Sequence, residues 1–255
     1  MNKMKTLFTL ALVCFFAMHV DAQVKKPVAK KATTTKTTAK KTTTKKTVKP
    51  VAKTPEIKIP GTRVKVTTDF GVMIIRLYDK TPQHRDNFIK LAGEHFFDSL
   101  LFHRVIQGFM IQGGDPQSKY APAGQPLGMG DVGYTIPAEF DTSLFHKKGA
   151  LAAARTPNPA KASSGCQFYI VQGSPVPEQQ LAMLEMQKGI KYSPQQRNIY
   201  KTIGGTPFLD QDYTVFGEVE SGLEVIDKIA AVQTIMKGSA DRPETDVRMK
   251  IEVIK

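Results

Sequence analysis

From residue 62 onward the apolar positions recur at two spacings, one suited to strands and one to helices. Val64, Val66 and Thr68 alternate with Lys65 and Thr67, a turn follows at Asp69-Phe70-Gly71, and residues 72–78 give a second apolar run. This pair predicts a β-hairpin. Thr81-Pro82 opens a segment in which Phe88, Ile89, Leu91 and Ala92 share one helical face, and Gly93 lies near its end. Residues 101–111 are mostly large and apolar, interrupted by His103, Arg104 and Gln107, and run into Gln112-Gly113-Gly114-Asp115. Two strands joined near Gly108 fit that pattern better than a helix.

Residues 115–135 are rich in Gly, Pro and small polar residues and read as a long surface loop. Short runs at 149–154, 167–172, 214–219 and 247–254 read as buried strands, and 223–229, behind Gly222, as a second core helix. Many short strands with two helices predict a mainly β fold, a closed barrel capped by helices. Between Gln172 and Phe208 the periodicity turns helical, with Leu181, Met183 and Leu184 in one stretch and Ile199, Tyr200 and Ile203 in another, broken by Gly189 and Pro194. A helical hairpin inserted at about residues 174–206 is expected, either packed on the barrel or recognising a client protein. There is no internal repeat.

Residues 23–60 follow neither spacing. They are almost entirely Lys, Thr, Ala, Val and Pro, without an aromatic residue, and bury too little surface to offset the entropy of ordering. A disordered, extended linker is expected there. Ahead of it, Lys3 and Lys5, an apolar run at 7–17 and Val20-Asp21-Ala22 read as a signal peptide over residues 1–22, cleaved before Gln23. The apolar run is about half the roughly 20 residues that a membrane span needs. Val13 stands where a lipobox ahead of Cys14 would carry a small residue. The chain is therefore expected to be exported, to the periplasm, where Cys166 alone would remain and no internal disulfide could form.

A net charge of +13 points first to a polyanion partner. Mapping it removes that reading from the folded part: residues 23–60 hold twelve lysines against Glu56, while 22 basic and 21 acidic residues follow position 60. The linker is then a tether, or a loose attachment to an anionic envelope surface. Nucleic acid is not expected as a partner of an exported chain.

Several candidate chemistries fall away. Gly128-Met129-Gly130-Asp131-Val132-Gly133 has the spelling of a dinucleotide fingerprint, but Pro137 opposes the helix that should follow. His19, His84, His95, His103 and His146 are not spaced to converge on a metal, and no Gly-x-Ser-x-Gly elbow occurs. No metal, no cofactor and no hydrolase chemistry are expected.

Three blocks remain. The first is Phe102-His103-Arg104-Val105-Ile106-Gln107-Gly108-Phe109-Met110-Ile111-Gln112-Gly113-Gly114-Asp115. The second joins Gly149-Ala150-Leu151-Ala152-Ala153-Ala154-Arg155 to Ser164-Gly165-Cys166-Gln167-Phe168-Tyr169-Ile170. The third runs from Phe208-Leu209-Asp210 to Val215-Phe216-Gly217-Glu218-Val219. In this order they resemble the cyclophilin family of peptidyl-prolyl cis-trans isomerases, over residues 64 to 254. The resemblance implies an exported bacterial form with an eight-stranded antiparallel barrel over residues 61–255. It also implies proline-containing polypeptides as partners, and a monomer is expected.

The chemistry that such an enzyme needs follows from the amide. Rotation about an X-Pro bond meets a barrier of about 18–20 kcal/mol because twisting destroys amide resonance. A fixed cationic donor aimed at the prolyl nitrogen, which regains its lone pair when twisted, favours the twisted state over both planar ones. Arg104 has the right chemistry, although an arginine on a strand among apolar residues also reads as an ordinary outward charge.

The resemblance implies that Arg104 is the central catalytic residue. Gln112 would bond the substrate backbone and help place Arg104, with His103 in support. Phe109, Met110, Tyr169 and Leu209 would line the proline pocket, and Ala154 and Arg155 would pair with substrate through their backbone. Gln167, Phe208 and Tyr213 complete the expected substrate-binding set. Tyr169 departs from the usual phenylalanine and adds a hydroxyl that needs a partner if buried. Phe208 stands where many members carry tryptophan, which predicts weak cyclosporin binding, and Tyr213 stands where many carry histidine. The alternative function is a holdase chaperone that binds proline-containing segments with little catalysis.

Overall fold

In a computed structural model of the chain, residues 61–235 and 241–254 are described; the expected signal peptide and linker, residues 1–60, lie outside them. Strands β1 (Arg63–Thr68) and β2 (Gly71–Leu77) form the expected hairpin. Its turn is tied by Thr68, whose Oγ1 donates to Gly71 O at 3.0 Å and accepts from Phe70 N at 3.1 Å. Helix α1 (Pro82–Gly93) begins at a proline, whose missing N–H costs nothing in a first turn, and buries His84, Phe88, Leu91 and Ala92. Strands β3 (Arg104–Ile106) and β4 (Met110–Gly113) follow, joined through Gly108 at φ +76°, a conformation that glycine takes without strain.

After a 3-10 turn at Pro116–Ser118 come β5 (Thr135–Ile136), β6 (Ala150–Ala153), β7 (Ser163–Ser164) and β8 (Phe168–Val171). Helices α2 (Glu178–Lys188) and α3 (Pro194–Thr202) form the insertion, and a second 3-10 turn spans Pro207–Leu209. Strand β9 (Val215–Ser221), helix α4 (Leu223–Ala230), then β10 (Thr234–Ile235), β11 (Arg242–Pro243) and β12 (Met249–Ile254) complete the described fold. The two-stranded pairs β5–β7 and β10–β11 had no counterpart in the sequence pattern, because two residues per strand cannot show an alternation.

The main sheet is antiparallel throughout, in the order β12-β1-β2-β9-β6-β8-β4-β3. Among the described residues its two edges meet ahead of β3, through a Leu101–Arg248 bridge and the bonds Ser99 N to Met249 O, Phe102 N to Val247 O and Met249 N to Leu100 O, each 2.9 Å. The expected closed barrel is thus an eight-stranded wall with a narrow seam. The seam stays short because the outer edge of β3 is taken by another segment, Val105 N donating to Asp241 O at 3.0 Å.

Strand alternation separates two apolar faces. Ile111, Leu151, Phe168 and Ile170 point into the barrel with Val64, Ile75 and Phe216, and α1 and α4 pack there through Phe88, Ile226 and Ile229. Phe88, Phe97 and Phe168 contact one another at 4.9–5.6 Å between ring centroids. Each such buried ring or aliphatic side chain contributes roughly 1.5–3 kcal/mol. On the opposite, outer face, Met110, Ala152, Ala154, Tyr169 and Val171 form a second buried cluster.

The inserted hairpin has a small core of its own, with Val176, Leu181, Tyr192 and Tyr200 buried against Phe145 and Ile190. Gly189 ends α2 at φ +64°, and Ser193 with Gln196 forms a reciprocal capping box at the start of α3. Arg197 on α3 pairs with Glu178 and Glu185 on α2, locking the two helices. Bridges from Gly205 to Lys147 and Ser174 close the base of the insertion.

Candidate active site

Register assembles the site. Arg104 on β3 stands opposite Gln112 on β4, Gln112 opposite Tyr169 on β8, and Tyr169 opposite Ala152 on β6. Directly opposed residues share a face, so these four form one row across the outer wall, with strands about 4.8 Å apart. Beside the row lies a cavity of about 290 Å³. Its floor and walls include Phe109, Met110, Ala154, Tyr169, Leu209 and Tyr213, and its polar border includes His103, Arg104, Gln112 and Arg155.

The guanidinium of Arg104 is held from two sides. Nη1 donates to Gln112 Oε1 at 3.3 Å, and Nε lies 3.6 Å from Asp241 Oδ2. The pair with Asp241 is about one-third exposed at both partners and so worth at most about 1 kcal/mol. Gln112 is held in turn, its Nε2 donating to Gln167 Oε1 at 3.0 Å. Buried Gln167 spends its own Nε2 on the carbonyls of Gly128 and Gly130, at 3.0 and 2.8 Å. A chain of hydrogen bonds therefore runs from a backbone loop through two glutamines to the arginine.

That loop is a part of the site that sequence reasoning missed. Leu127, Gly128 and Met129 line the cavity. Gly128 N donates to Asp115 Oδ2 at 2.5 Å, and Asp115 Oδ1 accepts from Gln117 N at 2.7 Å. The fingerprint-like glycines lie in irregular chain with no helix after them, and their carbonyls are spent on Gln167, which is no cradle for a pyrophosphate. The only sequence signal for this loop was the acid of Gly114-Asp115.

His103 is 2% exposed, and neither ring nitrogen makes a well-formed hydrogen bond among the described residues. Burial pushes its pKa down to about 4, with the charges of Arg104 and Arg242 adding to the shift and Asp115 opposing it. The ring is therefore neutral and adds no second positive charge beside Arg104.

The hydroxyl of Tyr169 has its partner. It lies 3.0 Å from His146 Nε2, while His146 Nδ1 lies 2.7 Å from Asp210 Oδ1. Asp210 also accepts from His146 N at 2.9 Å and, at Oδ2, from the hydroxyls of Tyr192 at 3.0 Å and Tyr200 at 2.6 Å. Burial, reinforced by the nearby charge of Asp210, raises all three tyrosines above their ordinary pKa, so they remain hydroxyl donors.

The remaining expected residues divide by position. Phe208 is exposed at the rim, its ring 5.7 Å from that of Phe109. Arg155 stacks its guanidinium 4.7 Å from the centroid of Tyr213 and donates from Nε to Asp212 O at 2.9 Å. Ala154 uses its N–H on Gln167 O and its C=O on Ser164 N, so its backbone is already paired inside the protein. Both residues line the cavity.

Residues 63–253 match the family described as cyclophilin type peptidyl-prolyl cis-trans isomerase/CLD. The chain is 38% identical over 190 residues to the "Putative bifunctional phosphatase/peptidyl-prolyl cis-trans isomerase" of Streptococcus pyogenes, the match covering 73% of this chain and 37% of that protein. This chain thus spans little more than a third of that relative. It is 35% identical over 189 residues to the "Putative peptidyl-prolyl cis-trans isomerase" of Staphylococcus haemolyticus, covering 72% of this chain and 87% of the relative. Among solved structures it is similar in fold to a Cryptosporidium parvum cyclophilin type peptidyl-prolyl cis-trans isomerase. The TM-score is 0.54 and the identity 20%, over 76% of this chain and 98% of that one.

The buried imidazoles make stability pH-dependent. His103 and His84 both titrate below the ordinary histidine value in the folded state, mainly through burial. Between about pH 6.5 and 4 the unfolded chain binds protons that the folded chain refuses, so stability falls as pH falls through that window. Urea unfolding is expected to show a loss of roughly 1–3 kcal/mol across it, with a shallower slope in His103→Gln. A slope unchanged by that substitution would contradict the assignment.

Proposed function

The chain belongs to the cyclophilin type peptidyl-prolyl cis-trans isomerase family, and from that premise we propose that its outer groove rotates X-Pro bonds in exported polypeptides, with Arg104 stabilising the twisted amide. The observation that carries this reading is the row of Arg104, Gln112 and Tyr169 beside one apolar cavity. Phe109, Met110, Tyr169 and Leu209 offer the proline ring a dry seat. With the ring held there, the chain on the amino side of the bond is free to turn. Arg155 offers backbone groups to the adjoining segment.

As the amide twists, the prolyl nitrogen becomes pyramidal and its lone pair returns. A guanidinium is always charged and presents a rigid fork of donors, so it favours this nitrogen over the planar one. Gln112 and Gln167 fix the fork before substrate arrives, which leaves little to reorganise during rotation. No covalent bond forms or breaks and no proton is transferred. A holdase would need the apolar seat but not the oriented arginine, so the groove gives that reading no support.

The exported location rests on the leader pattern at residues 1–22, and the lysine-rich linker is assigned as a tether or an attachment to an anionic envelope surface. Clients are then proline-containing chains of the same compartment. N-terminal sequencing of the mature protein from a periplasmic fraction is expected to begin at Gln23; an unprocessed chain in the cytoplasm would contradict export.

For the chemistry, a protease-coupled assay on an Ala-Pro-Phe peptide is expected to show acceleration by the wild type. Arg104→Ala should lower kcat/KM by about 10²–10³, equivalent to roughly 2.7–4 kcal/mol of transition-state stabilisation. A variant as fast as wild type would sink the role given to Arg104.

A further inference from the structure

We propose that Tyr192 and Tyr200 of the inserted helical hairpin are positioning residues for the prolyl pocket, acting on Tyr169 through Asp210 and His146. The inference rests on the isomerase reading only in taking that pocket as the seat of the proline ring.

Every member of this relay is buried: Tyr192 is 5% exposed, Tyr200 0%, Asp210 2%, His146 0% and Tyr169 5%. An ionised carboxylate is an acceptor only, with about four lone-pair sites, and Asp210 meets four donors. Two come from His146 and two from the insertion. In the tautomer that donates Nδ1–H to Asp210, the bare Nε2 accepts from the Tyr169 hydroxyl. The His146 ring also lies nearly parallel to the Tyr169 ring, 12° apart in plane and 6.0 Å between centroids. An unbroken series of hydrogen bonds therefore runs from insertion to pocket wall.

A second tie from the insertion grips the neighbouring wall. Lys188 Nζ donates to Asp210 O at 2.8 Å and to Asp212 Oδ2 at 2.5 Å. Asp212 O in turn accepts from Arg155, whose guanidinium covers Tyr213, and Tyr213 meets Tyr169 edge-on at 5.9 Å. The hairpin thus holds Tyr169 from behind and the segment carrying Leu209 and Tyr213 from the side. Loss of the two insertion hydroxyls leaves Asp210 Oδ2 without these donors, frees the carboxylate to turn, and loosens His146 and the pocket wall.

A merely structural role for the hydroxyls would lower stability without reading through Tyr169. A double-mutant cycle separates the two, using the dissociation constant of an Ala-Pro-Phe peptide measured by NMR titration, together with KM and kcat. Tyr192→Phe/Tyr200→Phe is expected to weaken peptide binding by about three- to tenfold, with KM rising in step and kcat changing less than about twofold. In the Tyr169→Phe background, where the path is already cut, the same pair should change binding by less than about 1.5-fold. An unchanged affinity in the double variant, or an equal loss with and without the Tyr169 hydroxyl, would overturn the proposal. If the double variant does not fold, Tyr192→Phe alone, with Tyr200 still on Asp210, carries the same cycle at smaller amplitude. A wild type that binds the peptide without speeding rotation would contradict the isomerase reading while leaving the cycle legible in affinity. A wild type that fails to bind would overturn both.

Discussion

Antiparallel pairing of β3, β4, β8 and β6 puts Arg104, Gln112, Tyr169 and Ala152 opposite one another, and the rest of the groove takes its position from that row. The constraint is strict because side chains alternate with a period of two. A slip of one residue in β4 would carry Gln112 into the barrel and Ile111 out of it. Ile111, Leu151, Phe168 and Ile170 resist such a slip from the inside, each contributing roughly 1.5–3 kcal/mol of burial. The apolar interior and the polar exterior are thus two readings of one register, and core packing enforces the site geometry. Gly108 at φ +76° allows the tight turn that starts this register. Gly114 at φ +92° ends it, where an added Cβ would lie 2.2 Å from Cys166 O.

Two polar chains then fix the sides of the row. On one side Gln167 ties the Gly128–Gly130 carbonyls to Gln112 and so to Arg104. On the other Asp210 ties the insertion to His146 and so to Tyr169. Both chains start in segments outside the eight-stranded wall. A charged donor faces an apolar seat because each is held by a different piece of the molecule, and neither relies on surface ion pairs, which are worth little. Neutral His103 adds no further positive charge beside Arg104 on that border.

The elements were legible in the sequence where periodicity was. The 63–77 hairpin, α1, α4, the two-helix insertion and the longer strands all show their apolar spacing directly. The pairing of strands was not, since Gln112 and Tyr169 are 57 positions apart and nothing local joins them. The resemblance supplied what the pattern could not: by spacing alone Arg104 was an outward charge and Met110 and Tyr169 were core. The loop at 127–129 was read as plain surface because its role depends on Asp115 and Gln167, which bind it from distant positions. The added hydroxyl of Tyr169 announced a need for a partner, but His146 and Asp210 stand 64 residues apart and meet only in the fold. The bonds of the Ala154 backbone to Gln167 and Ser164 were likewise invisible in the sequence, since they join separate segments.

The central claim is that this row places a fixed guanidinium over a seated prolyl amide. A crystal structure of the protein with an Ala-Pro peptide bound tests that most directly. The account predicts the proline ring against Phe109, Met110, Tyr169 and Leu209, with Arg104 still bonded to Gln112 and its free donors directed at the prolyl amide. A peptide seated elsewhere, or an Arg104 side chain detached from Gln112 and turned away from the amide with the ring in place, would contradict it.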